Sequence, residues 1–161
     1  MRSAFVYEEP VRGLIHSLKY RGATSLAAPL GRRMADAWSK LHLQTDVLIP
    51  VPLHPRRELR RGYNQSLLLA QSMGLAIQIA VTGDTLRRSR DTASQTHLNR
   101  AERRHNVENA FLCDNDRMIR GKRVTLVDDV ATTGATLEAC AGVLREQGVL
   151  SVDAFTLARA P

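Results

Sequence analysis

The sequence predicts an α/β domain with a mainly parallel central sheet of about five strands and helices on both faces. The residue pattern of the last third of the chain predicts a strand, a helix and a second strand in succession. Arg123–Asp128 and Val152–Leu157 are apolar strands, and apolar residues recur at helical spacing from Leu137 to Leu144. A unit of this size is a crossover between parallel strands. The 161 residues contain no linker rich in Pro, Gly or Ser, so residues 1–161 are predicted to form a single domain.

The same spacing rules predict the other elements. Pro10 precedes the first helical stripe as a good first-turn residue, and Asn64 is a plausible N-cap for a later helix. Prolines end the first apolar strand, and a basic loop follows it. A polar loop is predicted over 89–98. The predicted helices cover 11–18, 30–41, 65–71 and 99–106, and the predicted strands cover 46–52 and 84–88.

Composition excludes several classes of protein. No stretch approaches ~18 consecutive apolar residues, which excludes a membrane-spanning helix. The N-terminus lacks the apolar run of a secretory signal, so a cytoplasmic location is expected. The two cysteines, Cys113 and Cys140, are too few for a disulfide scaffold or a multi-cysteine zinc ribbon. Both are predicted to be buried, reduced thiols.

The net charge of +7 is concentrated in two segments. His54–Gln65 has four Arg and one Glu, which gives +3, and Arg87–His105 has six Arg and two acids, which gives +4. Concentrated arginine favours an anionic ligand such as phosphate, pyrophosphate or nucleic acid. Two solvated helix faces or loops are the alternative, because charge runs are commonly just exposed.

Chemistry is predicted where the Arg123–Asp128 strand leads into the last helix. A loop is predicted from Asp129 to Gly134, at the carboxyl end of a parallel strand, where open α/β sheets bind ligands. Asp128 and Asp129 suit the hydroxyls of a sugar. The small and hydroxyl residues that follow suit a phosphate at a helix N-terminus. These residues are Ala131, Thr132, Thr133, Gly134, Ala135 and Thr136. The segment therefore predicts a ribose-5-phosphate site.

Other assignments of this segment fit its residues less well. The alternative without a ligand is an Asp-rich turn before a Thr-capped helix, although two adjacent acids rarely end an apolar strand without a partner. A Walker-type phosphate loop is excluded because no Gly-Lys-Ser/Thr ending occurs. A phosphate-receiver domain carries its paired acids near its start, and no glycine triad marks a dinucleotide fold.

Leu126–Thr136 closely resembles the signature that type I phosphoribosyltransferases use to bind 5-phosphoribosyl-1-pyrophosphate (PRPP). Nearly the whole chain resembles, more narrowly, the ComF (competence protein F) family. Typical members carry an N-terminal four-cysteine zinc ribbon, and this chain starts after the place where that ribbon would lie. The stretches that carry the narrower resemblance are Leu18-Lys19-Tyr20 with Gly22, Ile49–Leu53, Arg60–Gln65, and Arg90 through Thr92, Gln95, Arg103, Asn106 and Phe111.

The resemblance implies a core over 46–161, with a mainly parallel central sheet and flanking helices, and a small N-terminal helical hood over about 1–40. It also implies Mg²⁺ carried by PRPP near Asp128 and Asp129, with no direct protein ligand. Arg87–Arg104 would be a mobile loop from which Arg88 and Arg90 reach pyrophosphate, acting with the two acids in catalysis. The pyrophosphate-binding residues would be Pro52, Leu53, His54, Arg56 and Arg57.

Two functions of different class remain open at this point. The first is a Mg²⁺-dependent phosphoribosyltransferase that displaces pyrophosphate at ribose C1, with an unknown acceptor. The second is a non-catalytic, PRPP-regulated protein that handles nucleic acid, including single-stranded DNA, for DNA uptake or utilisation. Tyr63 is the one aromatic ring inside a basic segment, and single-strand platforms usually need more. A homodimer is compatible with either function. The arginines assigned to nucleic acid are Arg60, Arg61, Arg103 and Arg104.

Overall fold

The computed structural model describes residues 1–90, 109–114 and 117–160. The predicted helix over 99–106, most of the predicted loop over 89–98, and Arg103 and Arg104 lie outside these residues. The strands are β1 (Arg2–Val6), β2 (Val47–Pro50), β3 (Ala80–Val81), β4 (Leu86–Arg88), β5 (Phe111–Cys113), β6 (Arg123–Ala131) and β7 (Ser151–Arg159). The helices are α1 (Val11–Tyr20), α2 (Ala27–Ser39), α3 (Pro55–Arg61), α4 (Gln65–Ile77) and α5 (Ala135–Glu146), with a 3₁₀ turn at Thr24–Leu26.

Five parallel strands form the central sheet in the order β1-β7-β6-β2-β3. The crossover from β6 through α5 to β7 is present as predicted, and Leu126 lies opposite Ala154 in the paired strands. The predicted fold class is confirmed. Because all five strands run the same way, their carboxyl ends meet at one edge of the sheet.

Helices cover both faces of this sheet. On one face, α1, α2 and α4 pack against the sheet, and Trp38 meets Phe155 edge to face at 5.1 Å between ring centroids. On the other face, Leu137, Cys140 and Leu144 of α5 pack against the sheet. Apolar residues on both faces of β2 and β6 are therefore fully buried, as expected of a parallel sheet.

Several elements differ from the prediction, and the strand β5 was not predicted. The N-terminal segment is not helical throughout, because Arg2–Val6 forms β1 and pairs with β7 at the sheet edge. The short β3 was missed. The predicted strand near 84–88 forms as β4, but it pairs antiparallel with β5 outside the central sheet. Very short strands, and strands of mixed polarity, leave little periodicity to detect.

The segment predicted as a basic loop is instead the short helix α3. His54 caps it, because its Nδ1 accepts a hydrogen bond from the backbone N–H of Arg56 at 3.2 Å, and Pro55 begins the first turn. Gly62 ends the helix with φ of +86°, a conformation that glycine adopts without steric cost. The predicted cap of the next helix is confirmed, since the Asn64 side chain accepts from the N–H groups of Ser66 and Leu67.

Other features bear on the excluded classes of protein. Among the residues described, no helix is long and apolar enough to cross a membrane. Both cysteines are free thiols. Cys140 is buried as predicted, whereas Cys113 is only partly buried.

Candidate functional site

The candidate site lies at the carboxyl edge of the central sheet. β2 and β6 are parallel neighbours, and Pro50 lies opposite Val127. The chain that leaves β2 at Val51 and the last residues of β6 therefore share this edge. The fold thus brings together the two segments predicted to bind pyrophosphate and phosphoribose, although they are about 75 residues apart in the sequence.

The acid pair lies on a strand and not on a loop. The sequence predicted that a loop begins at Asp129, but β6 continues to Ala131. Both carboxylates are nearly inaccessible, with Asp128 9% and Asp129 2% exposed. The two acids contact different helices, Asp129 at the end of α1 and Asp128 at the first turn of α4.

Asp129 faces α1. Its Oδ2 lies 2.6 Å from Nζ of Lys19, and its Oδ1 accepts a hydrogen bond from the N–H of Val130 at 2.8 Å. Burial alone would lower the pKa of the Lys19 ammonium, but Asp129 and Asp128 outweigh it and raise that pKa above its usual value. The charge of Asp129 is therefore already balanced inside the protein.

Asp128 meets α4 and lies near α5. The Ser66 hydroxyl donates to its Oδ1 at 2.7 Å, and the N–H of Asp129 donates to the same oxygen at 2.9 Å. Ser66 is fully buried in the first turn of α4, where Asn64 fixes the backbone. Burial and the nearby Asp128 carboxylate together raise the pKa of the Cys140 thiol on α5, so that thiol stays protonated.

The Asp128 carboxyl is the group whose charge is most strongly disfavoured here. Burial, and then the neighbouring Asp129 carboxylate, raise the pKa of Asp128 to about 7. Lys19 and the hydrogen bond from Ser66 act in the opposite direction but do not cancel this effect. A ligand that brings a cation or hydroxyl donors to Asp128 would favour its ionised form.

The turn after β6 leads directly into α5. Thr132 is exposed, and Thr133 and Gly134 are partly exposed. Gly134 has φ of +78°, which lets the chain turn sharply into the helix. The Thr133 hydroxyl accepts from the N–H of Ala135 at 3.4 Å, and the helix itself begins at Ala135. The predicted phosphate segment thus sits at a helix N-terminus, next to the acid pair.

The predicted pyrophosphate segment differs along its length. Pro52 is buried, Leu53 and His54 are partly buried, and Arg56 at the start of α3 is exposed. Arg57 is partly buried. In this arrangement Pro52 and Leu53 form the backbone of the turn, and the arginine side chains of α3 reach solvent.

Two other predicted arginines have different surroundings. Arg88 was expected on a mobile loop, but it belongs to β4, is 6% exposed, and holds its guanidinium 5.4 Å from the Phe111 ring centroid. The predicted strand over 84–88 already included Arg88, so only the mobile-loop assignment implied by the family resemblance is wrong at this residue. Arg90 lies just after the strand and is exposed. Asp128 and Arg88 lie in one region, because the charges of both act on the pKa of the Cys140 thiol.

Sequence reasoning missed Lys19 and Ser66, the two side chains that hold the acids. Lys19 lies in the Leu18-Lys19-Tyr20 stretch that carries the ComF resemblance, which was a signal without an assigned role. Ser66 gave no signal beyond its place after the Asn64 cap. Tyr63 is not a free platform, because its hydroxyl donates to the carbonyl oxygen of Leu18 and ties the connection between α3 and α4 to α1.

The described residues around the acid pair offer few side-chain ligands for a metal ion. Among residues 1–90, 109–114 and 117–160, no group of three or more His, Cys, Asp or Glu side chains could hold a metal ion. Asp129 is engaged by Lys19, which leaves Asp128 as the main carboxylate for such an ion. Mg²⁺ commonly binds through one or two carboxylates together with phosphate oxygens and water.

The sequence profile of the family described as "Phosphoribosyl transferase domain" matches residues 60–161. The chain belongs to this family. The matched range contains the acid pair, the turn into α5 and the whole β6–α5–β7 unit, but not Lys19 or the segment from Pro52 to Arg57.

Curated relatives place the chain more narrowly. It is 37% identical over 161 residues to Competence protein F of Haemophilus influenzae, covering 96% of this chain and 70% of that protein. It is 35% identical over 158 residues to DNA utilization protein YhgH of Salmonella typhi, covering 95% and 69%. Competence protein ComFC of Bacillus subtilis is 29% identical over 160 residues, covering 98% and 63%. The ComF resemblance is confirmed.

Solved structures agree on the fold. An allosteric regulatory enzyme of purine biosynthesis superposes with a TM-score of 0.56 at 21% identity, covering 82% of this chain but only 26% of that one. A hypoxanthine-guanine phosphoribosyltransferase from Bacillus anthracis gives 0.56 at 17%, covering 86% and 72%. An adenine phosphoribosyltransferase from Thermoanaerobacter pseudethanolicus gives 0.53 at 14%, covering 85% and 82%. At these identities the likeness concerns the fold alone.

Proposed function

We propose that the chain binds PRPP at the carboxyl edge of its sheet and displaces pyrophosphate from ribose C1. One observation carries the proposal: a buried acid pair at the end of β6 is followed at once by a turn into the N-terminus of α5. Carboxylates suit ribose hydroxyls, and the N–H groups of a helix N-terminus suit a phosphate. The membership of the phosphoribosyl transferase domain family supports the same assignment.

The subsites follow from the geometry of this edge. The ribose hydroxyls would donate to Asp128, with Asp129 beside it, and the 5-phosphate would accept from backbone N–H groups and hydroxyls over 131–136. The pyrophosphate would lie toward the segment from Pro52 to Arg57, which leaves the neighbouring strand β2. Arginine suits this group because its guanidinium can donate two parallel hydrogen bonds to phosphate oxygens.

The reaction breaks the bond between ribose C1 and the pyrophosphate oxygen, and an acceptor forms the new bond to C1. Positive charge develops on the sugar ring while negative charge collects on pyrophosphate. The protein would act mainly by holding the sugar in place and by matching these charges. Asp128 would orient the ribose and stabilise the developing positive charge, whereas the exposed arginines of α3 would meet the leaving group.

Mg²⁺ is proposed to arrive with PRPP, held by ligand oxygens near Asp128, and to neutralise charge on the leaving pyrophosphate. Lys19 would keep Asp129 in place during this exchange, since it lies 2.6 Å from that carboxylate. Ser66 would keep Asp128 Oδ1 turned toward α4. These two residues would thereby define the direction in which the free lone pairs of Asp128 point.

A second candidate function is a PRPP-regulated protein that handles nucleic acid without turnover. The names of the relatives favour it, because DNA utilization protein YhgH and Competence protein F are 35% and 37% identical to this chain. In that case PRPP would bind at the same edge of the sheet but would not be cleaved. The two candidates therefore share the site and differ only in pyrophosphate release.

Calorimetry with PRPP and Mg²⁺ tests the site. The Asp128→Asn/Asp129→Asn double variant is expected to lose most of its affinity, because the ribose hydroxyls lose their strongest acceptors. Asp153→Asn is the matched control, since it removes a carboxylate of the neighbouring strand β7 near the opposite edge of the sheet. Unchanged affinity in the double variant would show that the acids do not bind the ligand.

An assay for pyrophosphate release separates the two functions. The purified chain is incubated with PRPP and Mg²⁺, alone and with purines, pyrimidines or nucleic acids as acceptors. Release that depends on an acceptor identifies a phosphoribosyltransferase and its substrate class. Binding in the calorimeter with no release for any acceptor would instead identify the regulated, non-catalytic role.

A further inference from the structure

The Asn64 side chain joins two segments of the candidate site. It is 7% exposed and lies at the N-terminus of α4. Its Oδ1 accepts hydrogen bonds from the N–H groups of Ser66 at 2.9 Å and Leu67 at 3.4 Å, and these bonds cap the helix. Its Nδ2 donates to the carbonyl oxygen of Val51 at 3.1 Å. The bond to Val51 has no part in capping, because that carbonyl belongs to the segment that leaves β2.

The bond from Asn64 to Val51 takes the place of a bond of the sheet. The N–H of Val51 donates to the carbonyl oxygen of Val127 at 2.9 Å, as in a parallel ladder. In such a ladder the Val51 carbonyl oxygen would next accept from the N–H of Asp129. That N–H instead donates to Oδ1 of Asp128 at 2.9 Å. The ladder between β2 and β6 therefore ends here, and Asn64 supplies the donor for a carbonyl oxygen that has left the sheet.

Asn64 also acts on Asp128 through Ser66. By accepting from the N–H of Ser66, Asn64 fixes the turn that carries the Ser66 hydroxyl, and that hydroxyl donates to Asp128 Oδ1 at 2.7 Å. Ser66 and Val51 are both buried, so water does not compete for these contacts. One side-chain amide therefore holds together the acid proposed to bind ribose and the segment proposed to bind pyrophosphate.

We propose that Asn64 is a positioning residue that sets the distance between the ribose and pyrophosphate subsites. The inference rests on the proposed binding of PRPP, whose ribose and pyrophosphate are covalently joined and must reach both subsites at once. Val51 directly precedes Pro52, so a shift of the Val51 carbonyl moves the turn that follows β2. Asn64 acts only through Val51 and Ser66, and a small displacement of the groups that it holds weakens binding even when their chemistry is unchanged.

Two variants separate this role from helix capping. Asn64→Asp and Asn64→Ser each keep an oxygen that can cap α4, but neither offers the amide N–H that reaches Val51. Calorimetry with Mg²⁺ at about pH 8, where a new carboxyl is ionised, should show PRPP affinity reduced roughly tenfold in both. The affinity for ribose 5-phosphate, which lacks the pyrophosphate, should stay close to that of the wild type. Gln71→Glu makes the same amide-to-acid change at an exposed position of α4 and should leave both affinities unchanged.

Hydrogen–deuterium exchange gives a measurement that needs no ligand. In Asn64→Asp, backbone amides over residues 51–57 should exchange faster than in the wild type, because the turn after β2 has lost its tie to α4. Amides over residues 69–74, in the middle of α4, should keep their protection, because the cap is intact. Equal exchange over residues 51–57 in the variant and the wild type would overturn the inference.

The calorimetry also distinguishes failure of this inference from failure of the proposed function. A wild type that binds neither PRPP nor ribose 5-phosphate overturns the PRPP site and this inference with it. A wild type that binds PRPP, together with an Asn64→Asp variant that binds it equally well, overturns only the role of Asn64. Equal losses for the two ligands in Asn64→Asp and Asn64→Ser would also overturn that role, since they would show a general effect on the fold. Thermal unfolding of each variant measures that general effect directly.

Discussion

Asp128 and Asp129 are adjacent and chemically identical, yet they face two different regions of the molecule. Asp129 points toward α1 and ends in an ion pair with Lys19 at 2.6 Å. Asp128 accepts hydrogen bonds from Ser66 of α4 and from a backbone N–H, and burial raises its pKa to about 7. The two acids therefore contact different helices. Asp129 is held in an ion pair within the protein, whereas the charge of Asp128 depends on the ligand that binds beside it.

Because their contacts differ, Asp128 and Asp129 are expected to have different roles. A buried ion pair holds its partners strongly, because removing one leaves the other charged and without a partner. Lys19 therefore ties α1 to the central sheet at the edge where the ligand is proposed to bind. Asp128, by contrast, gains most when a cation or a set of hydroxyl donors comes within reach. Substitutions that affect Asp129 should therefore mainly change the stability of the fold. Substitutions that affect Asp128 should mainly change the affinity for the ligand.

Lys19→Met is expected to have the largest effect on stability. It leaves the Asp129 carboxylate buried beside Asp128 with no cation to balance it, so the free energy of unfolding should fall by roughly 3 kcal/mol at neutral pH. Urea denaturation measures this change. Lys40→Met, which removes an exposed lysine after α2, is the control and should change stability little.

The double variant Lys19→Met/Asp129→Asn sharpens this test. If the loss comes from the unbalanced carboxylate, removing its charge as well should restore a large part of the stability. If both single variants and the double variant are equally unstable, the effect comes from lost packing of the lysine chain, and the two acids would not differ as described.

The sequence was sufficient to predict the parts of the site that local patterns encode. The strand–helix–strand unit, the acid pair and the Asn64 cap follow from apolar spacing and residue type over short stretches, and the structure has all three. The boundary of β6 was less accurate. The predicted strand ended at Asp128, and Asp129 was assigned to a loop because charged side chains are rare inside a buried strand, where only tertiary partners make them tolerable.

The parts that could not be predicted depend on contacts between distant segments. Lys19 and Ser66 reach the acids from helices 110 and 62 positions away along the chain. The predicted strand over 84–88 contained Arg88, but its spacing did not show that the guanidinium is buried against Phe111. The helix α3 was read as a loop because seven residues with five charges carry no apolar stripe. Its helical form depends on the His54 cap, on Pro55 and on Gly62.

Asp128→Asn should distinguish Asp128 from Asp129 by the way it changes the pH dependence of stability. The pKa of Asp128 in the folded protein is raised above its ordinary value, so its contribution to stability is complete in acid and is lost as pH rises through about 7. The asparagine variant should therefore gain on the wild type by about 2 kcal/mol between about pH 5.5 and pH 8. Urea denaturation at the two pH values measures this gap, and a gap that stays constant would contradict the assignment.

The affinity for PRPP with Mg²⁺ should also depend on whether Asp128 is ionised. If the ligand needs ionised Asp128, the affinity of the wild type should rise about tenfold from about pH 6 to pH 8, as expected for a group with pKa near 7. Calorimetry at several pH values measures it. The ligand phosphates titrate too, so Asp128→Asn is the reference, and its residual affinity should lack the part of the pH dependence that the protein supplies.

Ser66→Ala should give the smallest effect, and it should act on Asp128 alone. The variant removes a 2.7 Å hydrogen bond to Asp128 and should cost about 1 kcal/mol of stability. Because this bond favours the ionised carboxylate, its loss should move the midpoint of the pH-dependent PRPP affinity to higher pH. Ser66→Thr keeps a hydroxyl and is the matched control, while Ser72→Ala removes a hydroxyl elsewhere on α4 that donates to the Leu68 carbonyl. A purely structural role for Ser66 would lower stability and leave the midpoint where it is in the wild type.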